Sequence, residues 1–174
     1  LFSVAQNSSY STNSIPIGGT FSTAFGSGSL QVNTGAGNSA VGYRSLYANT
    51  SGKLNTATGY LALFTNTTGN YNSATGSAAL YRNTTGYHNT ADGYNALYSN
   101  TTGIYNTAAG SLSLNKNTTG SHNAANGYSA LYNNTTGVYN TAAGSLALYF
   151  NSTGGDNTAV GYQSLYNNTT GNNN

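Results

Sequence analysis

Residues 83–99 read N-T-T-G-Y-H-N-T-A-D-G-Y-N-A-L-Y-S, and residues 100–116 repeat the pattern. The consensus N-T-T-G-x-Y-N-T-A-x-G-Y-x-A-L-Y-x runs through eight full copies, from Val32 to Asn167, and a partial ninth, Asn168–Asn174. A disordered polar tract would not hold glycine and leucine in register over this length. Stacking of the copies must therefore maintain the period.

The length of the repeat decides the fold class. Seventeen residues are too few for a helical hairpin, whose known repeats have about 33 residues or more. They suit one coil of an all-β, parallel β-solenoid (a β-roll) with two strands of about five residues and two tight turns. The N-T-A-x-G-Y segment is predicted as a strand, with Ala57 and Gly59 inward and Thr56 and Thr58 outward. The x-A-L-Y-x segment fits either a strand or a single helical turn.

Stacked copies place equivalent residues in ladders along the solenoid. One asparagine per copy is expected to form an inward amide ladder that bonds backbone at a corner. We expect positive φ at the Gly of N-T-T-G and at the asparagine before it, because both lie in a turn. One leucine per copy supplies most of the apolar volume. The two predicted ladders are Asn55, Asn72, Asn89, Asn106, Asn123, Asn140 and Asn157, and Leu63, Leu80, Leu97, Leu114, Leu131, Leu148 and Leu165.

Composition argues against catalysis and against several ligand classes. The chain has 28 Asn and 26 Thr but only four basic residues, two acidic residues and no Cys. A formal charge of +2 gives no basic stripe for nucleic acid, and no apolar run is long enough to span a membrane. No nucleophile elbow or phosphate loop is present. We therefore predict no enzyme activity and no cofactor.

A second period overlies the first. After the second Gly of the repeat, Tyr and Ser alternate from Ser77 to Tyr162, so the structural unit is either a 17-residue coil or a 34-residue coil. His88, His122 and Asp156 share one position and raise the question of a metal. In 17-residue coils they would lie two coils apart, about 10 Å, which is too far to share an ion. We predict no metal site.

The N-T-T-G turn carries a glycosylation sequon in every copy after the first. One sequon per coil would place a ladder of covalent glycans along one edge and would solubilise a surface with almost no charge. The alternative is that N-T-T-G is simply favourable turn chemistry. The candidate sites are Asn49, Asn66, Asn83, Asn100, Asn117, Asn134, Asn151 and Asn168.

A column of aromatic residues recurs near the end of each copy. Asn115 interrupts it. Stacked rings would stiffen the rod, and the same tyrosines could bind sugars or bury a subunit contact. We favour the structural role. The column comprises Phe64, Tyr81, Tyr98, Tyr132, Tyr149 and Tyr166.

Residues 1–31 lie outside the repeat, and residues 32–174 form the solenoid. Residues 1–5 have the small residues of a signal-peptide remnant, and Ile15-Pro16-Ile17 and Phe21–Leu30 are apolar enough to cap the first coil or to dock on another subunit. At the other end, Asn168–Asn174 begins a new coil with no cap. Either the chain continues, or the N-terminal segment of a neighbouring copy completes the sheet. From the second alternative we predict self-association, with the copies polymerising end to end.

Two segments carry a resemblance. Residues 38–46, N-S-A-V-G-Y-R-S-L, and residues 157–165, N-T-A-V-G-Y-Q-S-L, resemble the N-T-A-V-G-Y-x-A-L repeats of tail-fibre-like surface proteins of bacteria and viruses. More distantly, residues 32–174 resemble the head repeat of YadA-type trimeric adhesins, whose N-S-x-A-I-G motif builds a left-handed parallel β-roll. The resemblance implies an extracellular fibre or adhesin.

The functional hypotheses follow from the repeat and the resemblance together. The first is a structural subunit of a secreted, glycosylated fibre on a cell surface or virion. The second is a glycan-binding adhesin or a trimeric tail-fibre shaft. The third and least favoured is ice binding, because Thr-Thr neighbours point to opposite faces and no T-x-T face repeats.

Overall fold

The fold is a parallel β-solenoid. A computed structural model describes residues 21–174 of the chain. Nine short strands form one all-parallel sheet and follow each other in chain order. The strands are β1 (Thr23–Phe25), β2 (Ser39–Val41), β3 (Thr56–Thr58), β4 (Ser73–Thr75), β5 (Thr90–Asp92), β6 (Thr107–Ala109), β7 (Ala124–Asn126), β8 (Thr141–Ala143) and β9 (Thr158–Val160).

The register of the strands fixes the size of the coil. From β2 onward each strand pairs with the equivalent residues 17 positions later, as Ala40 does with Ala57. The unit is therefore the 17-residue coil and not the 34-residue coil, and the predicted fold class is confirmed. The step from β1 to β2 is one residue shorter, since Ala24 pairs with Ala40. The first turn, N-T-G at positions 33–35, lacks one threonine of N-T-T-G.

The strands have one inward side chain each, which explains their small residues. In β3, Ala57 is buried, while Thr56 and Thr58 are exposed, as the alternation predicted. Each coil up to that of β8 adds a buried leucine and, in most coils, a second buried alanine, such as Ala79 beside Leu80. A core of one leucine and two small residues per coil is narrow, which is how the chain folds with so few large apolar residues.

The rest of each coil is turn rather than strand or helix. No helix occurs within residues 21–174, and each coil contributes one strand of three residues, so the expectations of two five-residue strands and of a helical turn were wrong. In the x-A-L-Y-x segment Ala78 and Leu80 have φ of 55° and 52°, whereas an α-helix needs negative φ throughout. Their N–H groups donate in opposite directions, from Ala78 to the Tyr60 carbonyl at 2.8 Å and from Leu80 to the Ala96 carbonyl at 3.0 Å.

The solenoid begins earlier than the repeat suggested. β1 pairs with β2 in parallel, so a coil precedes Val32. The predictions for residues 1–5 and for Ile15-Pro16-Ile17 lie outside the described residues. Within residues 21–174, no helix is long and apolar enough to cross a membrane.

Candidate functional site

The interior carries the predicted ladder of asparagines, which we call the inner ladder. From Asn55 to Asn157 each amide bonds to both neighbouring coils. Asn72 donates its side-chain N–H groups to Asn55 Oδ1 at 3.1 Å and to the Gly86 carbonyl at 2.9 Å. Its backbone N–H also donates to Asn55 Oδ1, at 3.0 Å. The inner ladder comprises Asn38, Asn55, Asn72, Asn89, Asn106, Asn123, Asn140, Asn157 and Asn174.

A second set of asparagines forms another internal ladder, which the sequence analysis did not foresee. We call it the turn ladder, because it is built from the first residue of N-T-T-G. Asn66 Nδ2 donates to Asn49 Oδ1 at 2.7 Å and to the Gly69 carbonyl at 3.0 Å. The turn ladder comprises Asn33, Asn49, Asn66, Asn83, Asn100, Asn117, Asn134, Asn151 and Asn168.

The turn ladder contradicts the prediction that these asparagines carry glycans in the folded chain. A glycan must replace one hydrogen on Nδ2, yet both hydrogens are engaged inside the rod. Seven of the eight candidate amides are fully buried, namely Asn49, Asn66, Asn83, Asn100, Asn117, Asn134 and Asn151. The eighth, Asn168, is half-buried and donates to Asn151 Oδ1 at 2.9 Å and to the Gly171 carbonyl at 3.1 Å. The signal in the sequence was the strict recurrence of Asn itself, which an unmodified surface turn would not require.

The glycine of N-T-T-G is required for space rather than for positive φ. Gly69 does not have positive φ, and neither does the asparagine of its turn, so that expectation was wrong. A Cβ on Gly69 would overlap Asn66 Oδ1 and the Gly86 carbonyl oxygen. The positive φ values lie instead at Tyr71, Gly76 and the two residues of the x-A-L-Y-x segment described above.

The predicted aromatic column lies half-buried along one side of the rod. Neighbouring rings stack with centroids 5.2 Å apart for Phe64 and Tyr81 and 5.4 Å apart for Tyr149 and Tyr166. Asn115 interrupts the stack and donates its side-chain N–H to the Asn95 carbonyl at 3.0 Å. Burial, together with the neighbouring Tyr132 and Tyr166 phenols and Tyr128, raises the pKa of Tyr149. The first aromatic column comprises Tyr47, Phe64, Tyr81 and Tyr98 before the gap, and Tyr132, Tyr149 and Tyr166 after it.

A second stack of rings was missed by the sequence analysis. We call it the histidine column; it comprises Tyr71, His88, Tyr105, His122 and Tyr139, with centroids 4.7 to 5.1 Å apart. Each histidine lies between two tyrosine rings. In residues 21–174 no group of three or more His, Asp or Glu side chains is positioned to hold a metal ion.

A third set of tyrosines projects into solvent. We call it the tyrosine ridge; it comprises Tyr43, Tyr60, Tyr94, Tyr128 and Tyr162, all exposed. Tyr43 and Tyr60 occupy adjacent coils and stack at 5.4 Å. After Tyr60 the tyrosines occur in every second coil, with a serine at the same position in the coils between.

Three of the four basic side chains lie over aromatic rings. The guanidinium carbon of Arg44 is 5.2 Å from the ring centroids of both Tyr43 and Tyr47. Arg82 lies over Tyr98, and Lys116 lies over Tyr132. The remaining cation, Lys53, lines an open surface depression with Ser51, Thr68, Asn70 and Tyr71, which contains no carboxylate and no imidazole.

Comparison with known proteins gives the chain no relative. No protein-family model matches it, and neither the curated proteins nor the solved structures gave a significant match. The architecture is a tandem-repeat β-solenoid with two internal asparagine ladders, two stacked aromatic columns and an exposed tyrosine ridge.

Proposed function

We propose that the protein is a structural subunit of an extracellular fibre, in which solenoids join end to end. The supporting observation is that the same kinds of bond recur between successive coils. In the N-T-T-G turn the backbone N–H groups of Thr67, Thr68 and Gly69 all donate to one carbonyl, that of Thr84, at 3.0, 3.2 and 3.2 Å. The equivalent groups of Thr84, Thr85 and Gly86 donate in the same way to the next coil.

The two edges of a coil, one donating and one accepting these bonds, are complementary to each other because the coils are alike. A coil of a second copy can receive the bonds that an internal coil receives, with the same ladders continued across the junction. Leu165, in the coil of β9, is 38% exposed, whereas Leu148 one coil earlier is 0% exposed. In the proposed junction the first coil of the second copy would lie over Leu165.

Rigidity supports a structural role. Within residues 21–174, every buried side-chain nitrogen and oxygen has a hydrogen-bond partner. Eight coil steps of about 4.8 Å make a rod on the order of 40 Å long. A fully bonded polar interior has one favourable register, because a slip of one residue would leave buried amides without partners.

The extracellular setting rests on the surface and on the resemblance. The surface is rich in Thr, Asn and Tyr and carries very few charges. The N-T-A-V-G-Y segments resemble repeats of tail-fibre-like surface proteins, which are extended and exposed.

Negative-stain microscopy and sedimentation of the purified chain test the end-to-end contact. We expect filaments one solenoid wide in the parent protein and none in Leu165→Lys, because the lysine places a charge under the incoming coil. Gln163→Lys adds the same charge on an exposed side position of the same coil and should leave filaments intact. A parent without filaments, or equal filaments in both variants, would contradict the proposal.

The alternative is an adhesin or a trimeric tail-fibre shaft, and the exposed tyrosine ridge favours it, since tyrosine faces can stack on sugar rings. A glycan array and the sedimentation mass would distinguish it from the fibre. Ice binding has weaker support. A flat double row of threonines needs Thr at both outward positions of each strand, and the second position is Thr in β3 and β4 but Asp92 in β5 and Ala109 in β6.

A further inference from the structure

The tyrosine ridge is a row of regularly spaced projections. Tyr94, Tyr128 and Tyr162 are 57, 55 and 71% exposed, and one coil without a ring separates each from the next. Serine takes the ring's place in those coils, at Ser77, Ser111 and Ser145. The ridge is therefore a series of rings and notches with a period of two coils.

Each notch has the width of one aromatic ring. Where two ridge tyrosines occupy adjacent coils, as Tyr43 and Tyr60 do, their rings stack at 5.4 Å. The rings of Tyr94 and Tyr128 are two such steps apart. A ring inserted at the level of Ser111 would thus lie at stacking distance from both.

Two of the three notches, those at Ser111 and Ser145, have an apolar floor. In the coil of Ser111 the flanking residues are Ala109 and Leu112, and in the coil of Ser145 they are Ala143 and Leu146; Leu112 and Leu146 are half-buried. In the coils of Tyr94 and Tyr128 the same two positions hold polar residues, Asp92 and Asn95 or Asn126 and Ser129. Leu61 flanks Tyr60, and Val160 flanks Tyr162. The notches at Ser111 and Ser145 are therefore apolar seats bounded by two rings, and the notch at Ser77 lies beside Thr75 and Ala78.

We propose that the ridge is the contact between two copies of this chain, which lie side by side and antiparallel, with the tyrosines of each filling the notches of the other. A two-fold axis between the coils of Ser111 and Tyr128 aligns all three notches. It places Tyr128 over Ser111 of the second copy, Tyr94 over Ser145, and Tyr162 over Ser77. The contact is isologous, so it closes as a dimer.

Charge and area are compatible with this pairing. In the described ridge and its flanks, Asp92 is the only charge between Tyr60 and Tyr162, and the two-fold places it against the coil of Ala143, three coils from the second copy's Asp92. Like charges therefore do not meet.

A strip about 40 Å long and about 20 Å wide, from the strand to the ridge, covers on the order of 800 Å² per copy. This is the usual size of a specific interface.

Sedimentation and light scattering of the full chain test the contact, with Leu165→Lys as background so that side-by-side pairing is measured apart from end-to-end stacking. We expect a dimer in this background. Tyr94→Ser with Tyr128→Ser should raise the dissociation constant of the dimer at least tenfold. Tyr71→Ser with Tyr139→Ser removes two equally exposed rings from the histidine column and should leave the dimer intact.

The sharper variant fills the notches. Ser111→Tyr with Ser145→Tyr adds aromatic surface, so it would strengthen a contact that depended only on non-specific apolar association. In the proposed dimer it fills the notches that receive the second copy's tyrosines, so it should abolish the dimer. The position already holds tyrosine in alternate coils, so the solenoid tolerates the change, and circular dichroism checks this.

Spin labels determine the direction of pairing, since the chain has no native cysteine. In the antiparallel dimer, labels at Ala124→Cys lie one coil apart along the axis, about 5 Å, and labels at Thr56→Cys lie seven coils apart, about 34 Å. Equal distances at the two sites would overturn the proposal in favour of parallel pairing. A monomeric background protein, or a dimer strengthened by filling the notches, would also overturn it. The proposal would also be overturned if the protein were a monomer that binds an oligosaccharide on a glycan array and if Tyr94→Ser with Tyr128→Ser abolished that binding.

Discussion

The side-chain amide of Asn66 donates a hydrogen bond to the side-chain oxygen of Asn49, at 2.7 Å, inside the rod. The bond joins two residues 17 positions apart in sequence and recurs at each step of the turn ladder. It shows how a chain with few large apolar residues has a defined interior: amides bonded along the axis take the place of bulky side chains.

Removal of one amide from the turn ladder should destabilise the solenoid locally. In Asn100→Ala, Asn117 Nδ2 loses one of its two acceptors and Asn83 Oδ1 loses its donor. Each buried group left without a partner costs about 1–3 kcal/mol. The control is Asn126→Ala, on the exposed face of β7, where a change within about 0.5 kcal/mol is expected. Thermal and denaturant unfolding measure both, and equal stabilities would contradict the internal ladder.

Expression in a host that glycosylates asparagine should leave the buried turn-ladder sequons unmodified. Folding places Asn49 through Asn151 of this ladder inside the rod, where a sugar has no space. Peptide mass mapping of the folded, purified protein reports occupancy at each site. A substantial glycan fraction at Asn83 or Asn100 in protein that retains its solenoid spectrum would show that the turn ladder is wrong.

Closing the gap in the first aromatic column should stabilise the rod. Asn115→Tyr places a ring between Tyr98 and Tyr132, and each stacked pair contributes about 0.5–1.5 kcal/mol. Loss of the bond to the Asn95 carbonyl offsets part of this, so we expect a net gain of about 1 kcal/mol. Asn115→Ala removes the same hydrogen bond without adding a ring, so it measures the cost of losing that bond alone. Melting temperatures that do not separate the Tyr variant from the Ala variant would exclude a stacking contribution.

Stability should fall at alkaline pH because of Tyr149. Its pKa in the folded chain is raised above 10.0, chiefly by burial. Above pH 10 the unfolded chain therefore releases this proton while the folded chain retains it, so the contribution present below pH 10 is lost as the pH rises through the folded pKa. Tyr149→Phe should flatten this part of the dependence of unfolding free energy on pH, with Tyr162→Phe as the control for loss of one phenol. The same slope in parent and Tyr149→Phe would refute it.

The architecture could be predicted from the sequence because its determinants are periodic. Glycine and leucine at intervals of 17 imply stacking, and the Thr56-Ala57-Thr58 alternation gives the strand and its inward face. Parallel stacking of identical coils then brings equivalent residues together, which is why the aromatic column could be assigned before any coordinates.

The predictions that were wrong concern residue types that suit two different environments. Asparagine suits an exposed turn as well as a buried amide ladder, so Asn66 could not be placed by type alone. Leu80 has φ of 52°, a value uncommon for leucine, and no local preference indicates it. It is set by bonds from alternate N–H groups to the coils on either side. The histidine column was missed because His88 was considered only as a possible metal ligand and Tyr105 was not considered as a stacked ring.

The central claim is that successive 17-residue coils stack along one axis, and electron paramagnetic distances test it most directly. Cysteine spin labels on the exposed threonines of β3 and β8, Thr56 and Thr141, are five coils apart, and labels at Thr56 and Thr158 are six apart. With unlabelled protein in excess to suppress contacts between copies, we expect about 24 and 29 Å, an increase of about 4.8 Å per repeat. Distances of half these values would indicate 34-residue coils, and distances that do not rise with the number of repeats would contradict the solenoid itself.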